Sequence, residues 1–215
     1  MATVREEVRP PRRNRSPRGQ GDQLREEILA AAEEILIRTN DQSALSIRAI
    51  AAAVGVTPPS IYLHFADRTD LVFEVCGRHA EQLEQAMAEA AEGIEDPWER
   101  IRRRGYAYLR WGLDNPEHYR VLMMSRPDQT PVRFVDERLA DTAGLVPVAA
   151  DVVAAVATEQ VTDTDDPLET TKILWMMIHG MVSLRIAKPD FPFSPVDETY
   201  ESMFELVHRG LAPRN

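Results

Sequence analysis

Residues 46–68, Ser-Ile-Arg-Ala-Ile-Ala-Ala-Ala-Val-Gly-Val-Thr-Pro-Pro-Ser-Ile-Tyr-Leu-His-Phe-Ala-Asp-Arg, decide how the chain is to be read. Ile47, Ile50, Ala51 and Val54 recur at steps of three and four, which places them on one face of a helix over 47–54. Ser46 suits its N-cap, because a short side-chain oxygen satisfies an amide that the first turn leaves unpaired. Gly55 suits its end, where a positive φ costs glycine little. Thr57 is expected to cap a third helix. Pro58 takes its first position, where the missing N–H removes no intrahelical bond. Ile61 and Phe65, four apart, turn inward, while Thr57, Pro59, Ser60, Tyr62, Leu63 and His64 lie on the opposite face. Two short helices about a tight turn have the layout of a helix-turn-helix, whose second helix enters the DNA major groove. Ser60, Tyr62 and His64 can hydrogen-bond base edges or phosphates, and Leu63 can touch a thymine methyl. A helical hairpin with no DNA role has the same periodicity, so the pattern alone leaves both readings open.

Outward from this stretch the chain is helical in both directions. Ile28, Leu29, Ala32, Ile35 and Leu36 define an apolar stripe on a helix beginning at Asp22, and residues 40–43 stop it. Asp67 precedes a long helix from Leu71 to about Glu92. Asp96-Pro97 opens another, which ends at Asn115-Pro116, where a short one begins. Residues 126–142 read as a loop with short helical pieces. Helices are expected over about 146–158, 168–187 and 196–211, with Asp163–Pro167 as loop and cap. No segment alternates as a strand does. The fold class is therefore all-α with about nine helices. Three parts follow: a disordered basic arm over 1–21, a helix-turn-helix domain over 22–68, and a larger helical domain over 69–215. The arm can equally be a solvated tail or lie along phosphates.

The net charge of −10 is at first sight wrong for a DNA partner. It is unevenly placed. Residues 1–68 hold 10 of the 25 basic and 9 of the 35 acidic side chains, a net of +1, which leaves −11 for residues 69–215. Acid concentrated downstream keeps the larger domain off phosphate and favours solubility. No apolar run reaches about 18 residues, which argues against a membrane span. A lone cysteine, Cys76, allows no internal disulfide and fits a cytoplasmic protein. The Arg-rich start lacks the apolar core of a secretory signal. The five histidines are scattered, so no metal is expected. Nucleophile-elbow, P-loop and dinucleotide patterns are missing, so neither a catalytic residue nor a cofactor is expected.

The run Ile28-Leu-Ala-Ala-Ala, then Leu45-Ser-Ile-Arg-Ala-Ile-Ala-Ala-Ala-Val-Gly-Val, then Ser60-Ile-Tyr-Leu-His-Phe-Ala-Asp-Arg-Thr-Asp-Leu resembles the DNA-binding domain of TetR-type transcriptional regulators over residues 22–72. The resemblance implies three small N-terminal helices followed by a helical domain that dimerises and binds a ligand. It puts Thr57, Pro59, Ser60, Tyr62, Leu63 and His64 at recognition-helix positions. It also puts Ser46, Arg48 and Arg68 where the family touches phosphate. Two features depart from the family pattern: Pro58-Pro59 replaces the more usual polar residue followed by Gly, Pro or Ala, and Leu63 stands where many relatives carry Tyr or Trp. The run from Tyr106 to Met123, with Trp175-Met-Met-Ile-His-Gly-Met, resembles the C-terminal domain of the branch named for a Trp-His-Gly motif.

Tyr108, Trp111, Tyr119, Met123, Met124, Trp175, Met176 and His179 form an aromatic and methionine-rich set. Such a set lines an adaptable small-molecule pocket or simply fills a core. His179 fits either a ligand partner or a satisfied core histidine. Helices 168–187 and 196–211 would, by resemblance, pair with their twins in a homodimer. Leu174, Ile178, Met181, Val182 and Ile186 fit that role, or plain burial. The combined expectation is a repressor released from a palindromic double-stranded DNA operator by an unidentified small-molecule effector. The alternative is a helical binding module that has lost DNA binding.

Overall fold

The computed structural model describes residues 21–39, 44–124, 144–162 and 166–212. Among these, nine helices and no strand occur, as expected: α1 Gly21–Thr39, α2 Ile47–Val54, α3 Pro58–Tyr62, α4 Arg68–Ala91, α5 Pro97–Asp114, α6 Pro116–Met123, α7 Leu145–Ala157, α8 Pro167–Ala187 and α9 Val196–Leu211. The N-terminal arm before Gly21 and the irregular stretch expected over 126–142 lie outside the described residues.

The starts are set by caps. Ser46 Oγ accepts from Ala49 N at 3.1 Å, and Gly55 ends α2 in the left-handed region at φ 76°. Asp67 Oδ1 accepts from Asp70 N at 2.8 Å while Asp70 Oδ2 accepts from Ala66 N at 3.0 Å. That reciprocal pair begins α4 three residues earlier than the Leu71 expected from periodicity. Asp96 and Asp166 cap α5 and α8, each followed by a proline at the first helical position. Thr57 departs from expectation, for its side chain makes no cap bond. Pro58 and Pro59 have no N–H, so Ser60 N is the first-turn donor left to satisfy, and it donates to Thr57 O at 2.9 Å. The Thr57 hydroxyl lies instead 3.0 Å from Ser60 Oγ.

Two compact units divide the chain within α4, between Cys76 and Gly77. This is later than the boundary at 68 expected from the sequence. In the first unit, Ile28, Leu29, Ala32 and Leu36 of α1 are buried together with Leu45, Ile50, Ala51, Ile61, Phe65, Leu71 and Val72. Cys76 is buried among them, and burial pushes its thiol up to about 12, so it behaves as a small apolar side chain.

In the second unit α5, α7 and α8 pack on one another, with α6 against α5. Asp151, buried on α7, accepts from Arg100 Nε at 2.6 Å and Arg104 Nε at 3.0 Å on α5, so a carboxylate removed from water keeps two cationic partners. Tyr200 of α9 donates to Arg102 O and packs beneath Gly105. Helix α8 is apolar on both sides. Leu174, Ile178, Val182 and Ile186 are buried within their own subunit, and Met181 is half-buried. Ile173, Met176, Met177 and Leu184 form the exposed stripe.

Gly112 tests this packing. A Cβ there would sit 2.7 Å from Val182 Cγ1 and 2.9 Å from Tyr119 Cδ2, whereas one at Gly180 meets nothing within 4 Å. Gly112→Ala should destabilise the protein by about 1–3 kcal/mol in urea unfolding, and Gly180→Ala should leave it as stable or slightly more so.

Candidate DNA interface and effector cavity

The first unit presents α3 on its surface. Ile61 and Phe65 are fully buried, and because they are four apart they set the rotation of the helix. That rotation leaves Tyr62 55% and Leu63 83% exposed. Thr57, Pro58 and Pro59 are exposed, and Ser60 and His64 are half-buried beside them. A leucine held in water at 83% exposure gains nothing from the fold of its own domain, which makes it a contact residue or a neutral passenger. Phe65 is braced from behind: Arg25 of α1 lies over its ring at 5.1 Å and donates to Glu74 Oε2 at 2.8 Å.

Arg48 is exposed on α2, Arg68 is half-buried at the start of α4, and Ser46 keeps a hydroxyl proton while its oxygen caps α2. The structure thus brings the nine residues singled out in the sequence for DNA onto elements of one unit. None is fully buried. The double proline has a further consequence. A helix N-terminus usually offers backbone amides to a phosphate, and here two of them are missing. The hydroxyls of Thr57 and Ser60 are the polar side-chain groups at this helix start.

The second unit holds a partly open cavity of about 30 Å³, enough for roughly two waters. Met87 of α4, Ile101, Gly105 and Tyr108 of α5, and Leu145 and Val148 of α7 line it on one side. Thr171, Leu174, Trp175 and Ile178 of α8 complete it. Of the eight residues in the aromatic and methionine-rich set, Tyr108 and Trp175 are in this wall, and Met124 is exposed. Tyr119 and His179 stand behind it in a hydrogen-bond chain: Trp175 Nε1 donates to Tyr108 Oη at 3.1 Å, the Tyr108 and Tyr119 hydroxyls are 2.9 Å apart, and Tyr119 Oη is 2.6 Å from His179 Nδ1.

Trp111 and Met123 are half-buried away from the cavity wall, and Met176 is 52% exposed. Met176 is next to Trp175, and a helix turns about 100° per residue, so the two cannot face the same way. Thr171 and Gly105 were missed because neither is aromatic nor titratable. The spacing Thr171–Leu174–Trp175–Ile178, at steps of three and four, was the available signal.

Burial shifts the titration of this chain of groups. It lowers the His179 pKa below its ordinary value and pushes the Tyr108 hydroxyl up to about 12. The Tyr119 hydroxyl is also raised, chiefly by burial. With His179 neutral and its proton on Nε2, Nδ1 accepts from Tyr119 and Tyr119 accepts from Tyr108, so both hydroxyl protons are paired. With a folded-state pKa below the unfolded one, His179 favours folding fully above about 6.5. That contribution is lost as pH falls below it, because the unfolded chain takes up the proton more readily. Urea unfolding at pH 7.5 and pH 5.5 should therefore show a smaller loss of stability in His179→Gln than in the unmodified protein.

Comparison with known proteins agrees with this geometry. Residues 28–75 match the family described as bacterial regulatory proteins, tetR family, and residues 101–207 match the tetracyclin repressor-like C-terminal domain. A curated relative, the HTH-type transcriptional activator FasR of Mycolicibacterium smegmatis, is 30% identical over 111 residues, which are 52% of this chain and 49% of that protein. The chain thus spans about half the length of the curated relative it matches. Among solved structures, a TetR family transcription regulator from Marinobacter aquaeolei VT8 is similar with TM-score 0.66 and 21% identity, over 92% of this chain and 100% of that one. A protein with unknown function from Rhodococcus sp. RHA1 has TM-score 0.72 and 24% identity, over 95% of this chain and 100% of that one. Both share the fold.

Proposed function

Because the chain belongs to the tetR family and is a transcriptional regulator with a DNA-binding N-terminal domain rather than an enzyme, we propose that it is a homodimeric repressor released from a palindromic operator by a small apolar effector. The observation that carries the DNA half is the pairing of buried Ile61 and Phe65 with exposed Tyr62 and Leu63, which aims α3 outward. In a dimer, two such helices enter successive major grooves about 34–36 Å apart. Tyr62, with Arg48, Arg68, Ser46 and Thr57, holds the phosphates, while Ser60, Leu63 and His64 meet base edges beside Pro59. Among the described residues no helix is long and apolar enough to cross a membrane.

The exposed apolar stripe Ile173–Met176–Met177–Leu184 on α8, with Leu206 64% exposed on α9, supports pairing with a second copy through these helices. A stripe of this length on a lone subunit would otherwise stand in water. The effector reading rests on the cavity. Met87 in its wall belongs to α4, the helix that also supplies the last turns of the DNA-binding unit. An effector that prefers the state not bound to DNA lowers operator affinity by its differential affinity for the two states. FasR is named an activator, and the same docking can serve either sign, since the operator's position relative to the promoter sets the outcome.

Binding to the DNA upstream of the protein's own gene tests the proposal. Tyr62→Ala should weaken it about tenfold, or ~1.4 kcal/mol, on every sequence tested. Arg48→Ala should lower the slope of affinity against salt by about one, and equal slopes would remove Arg48 from the phosphate contacts. A reporter driven from the same fragment gives the sign of regulation, with repression expected. In light scattering, the double change Ile173→Glu and Leu184→Glu should give a monomer of unchanged helical content. A dimer that survives it would move the interface elsewhere.

A further inference from the structure

Among the described residues the wall of the cavity in the second unit holds no charged side chain, and its side-chain polar atoms are on Tyr108, Thr171 and Trp175. Their protons are already engaged. Trp175 Nε1 donates to Tyr108 Oη, and Thr171 Oγ1 donates to Pro167 O at 2.8 Å. With the neutral His179 accepting at Nδ1, Tyr119 donates to His179 and Tyr108 to Tyr119, which pairs both hydroxyl protons. What those bonds leave unused on the polar lining side chains is lone pairs: one on Tyr108 Oη and those on Thr171 Oγ1. The arginines that pack between α5 and α7 are not in the wall either. Arg100 and Arg104 hold Asp151, and their remaining recorded bonds go to the carbonyls of Ile94, Glu95 and Met87.

An anion entering such a space loses its water and finds neither a donor nor a cation, which makes its transfer strongly unfavourable. A wholly apolar molecule fits but leaves the lone pairs unused. Resting on the reading of this cavity as the effector site, we infer that it selects an uncharged, mainly apolar molecule bearing a hydrogen-bond donor, such as a phenol or an alcohol, and excludes carboxylates. The donor proton bonds to Tyr108 Oη or Thr171 Oγ1, and the apolar body lies against Leu174, Ile178 and Ile101. At about 30 Å³ the space must widen to admit even one ring, so binding couples to movement of its lining.

The probes are phenol, toluene and benzoate, which share a ring and differ in donor and charge. Binding is measured by calorimetry on the full-length protein and on Leu174→Ala, which enlarges the cavity. Phenol is expected to bind at least about tenfold tighter than toluene, and benzoate not at all. Tyr108→Phe together with Thr171→Val should abolish the preference for phenol while leaving toluene bound. Thr171→Val alone, which keeps the Tyr108 chain intact, should reduce the preference. Benzoate binding as well as phenol, or toluene matching phenol in the unmodified protein, overturns the selectivity while leaving the effector site standing. If none of the three binds to either form, the effector-site reading falls and this inference with it.

Discussion

Burial of Ile61 and Phe65 is the constraint on which the exposed surface of the first unit depends. A helix of five residues has no stability of its own. It keeps its shape because two proline rings fix the backbone at its start and two apolar side chains four apart are held in the core. With those two anchors set, the outward side of α3 is not a matter of choice. Tyr62 and Leu63 must face water, and Ser60 and His64 flank them. Arg25 across the Phe65 ring, and its bond to Glu74, tie α1 and α4 to the same anchor. The unit thus gives up a little apolar burial at Leu63 for a rigid exposed ridge, an arrangement that monomer stability alone does not favour.

The second unit solves a different problem. Its helix α8 must serve two faces, and it does so by putting β-branched and leucine side chains at steps of four on the inner one. Methionines and the exposed Ile173 and Leu184 occupy the outer. Through the inner face, Trp175 and His179 reach the hydroxyls of Tyr108 and Tyr119, a closed chain of hydrogen bonds in an otherwise apolar region. Such a chain specifies one packing of α5, α6 and α8, since any slip of one helix leaves a buried proton without a partner. Gly112 lets α8 and Tyr119 approach α5 closely enough for the chain to form.

Most of the helix order was legible because caps and periodicity agree. Asp96-Pro97, Asn115-Pro116 and Asp166-Pro167 are unambiguous starts, and the boundaries of α2, α3 and α9 follow from their flanking residues. The rotation of α3 was legible too, since Ile61 and Phe65 are its large apolar anchors. Helix α8 was not. It is apolar all round, so Leu174, Ile178, Val182 and Ile186 looked as suited to a partner subunit as to the core, and only the packing of α5 and α7 decides between them. The same ambiguity grouped Met176 with Trp175 although they point apart. Thr171 was passed over because a threonine in a helix commonly bonds back to its own turn, as this one does; its place in a cavity wall depends on residues far away in sequence. The capping role expected of Thr57 failed for a local reason, the double proline that leaves so little to cap.

Docking of the outward face of α3 in a major groove on each half of a symmetric site would leave a defined footprint. A hydroxyl-radical footprint of the full-length protein on the DNA upstream of its own gene, run across a salt series, tests it most directly. The account predicts two protected patches about one helical turn apart on one face of the duplex. They should fade together as salt rises, and need about tenfold more protein to appear with Tyr62→Ala. Protection that is unaltered by Tyr62→Ala, or no protection at low salt, would contradict it.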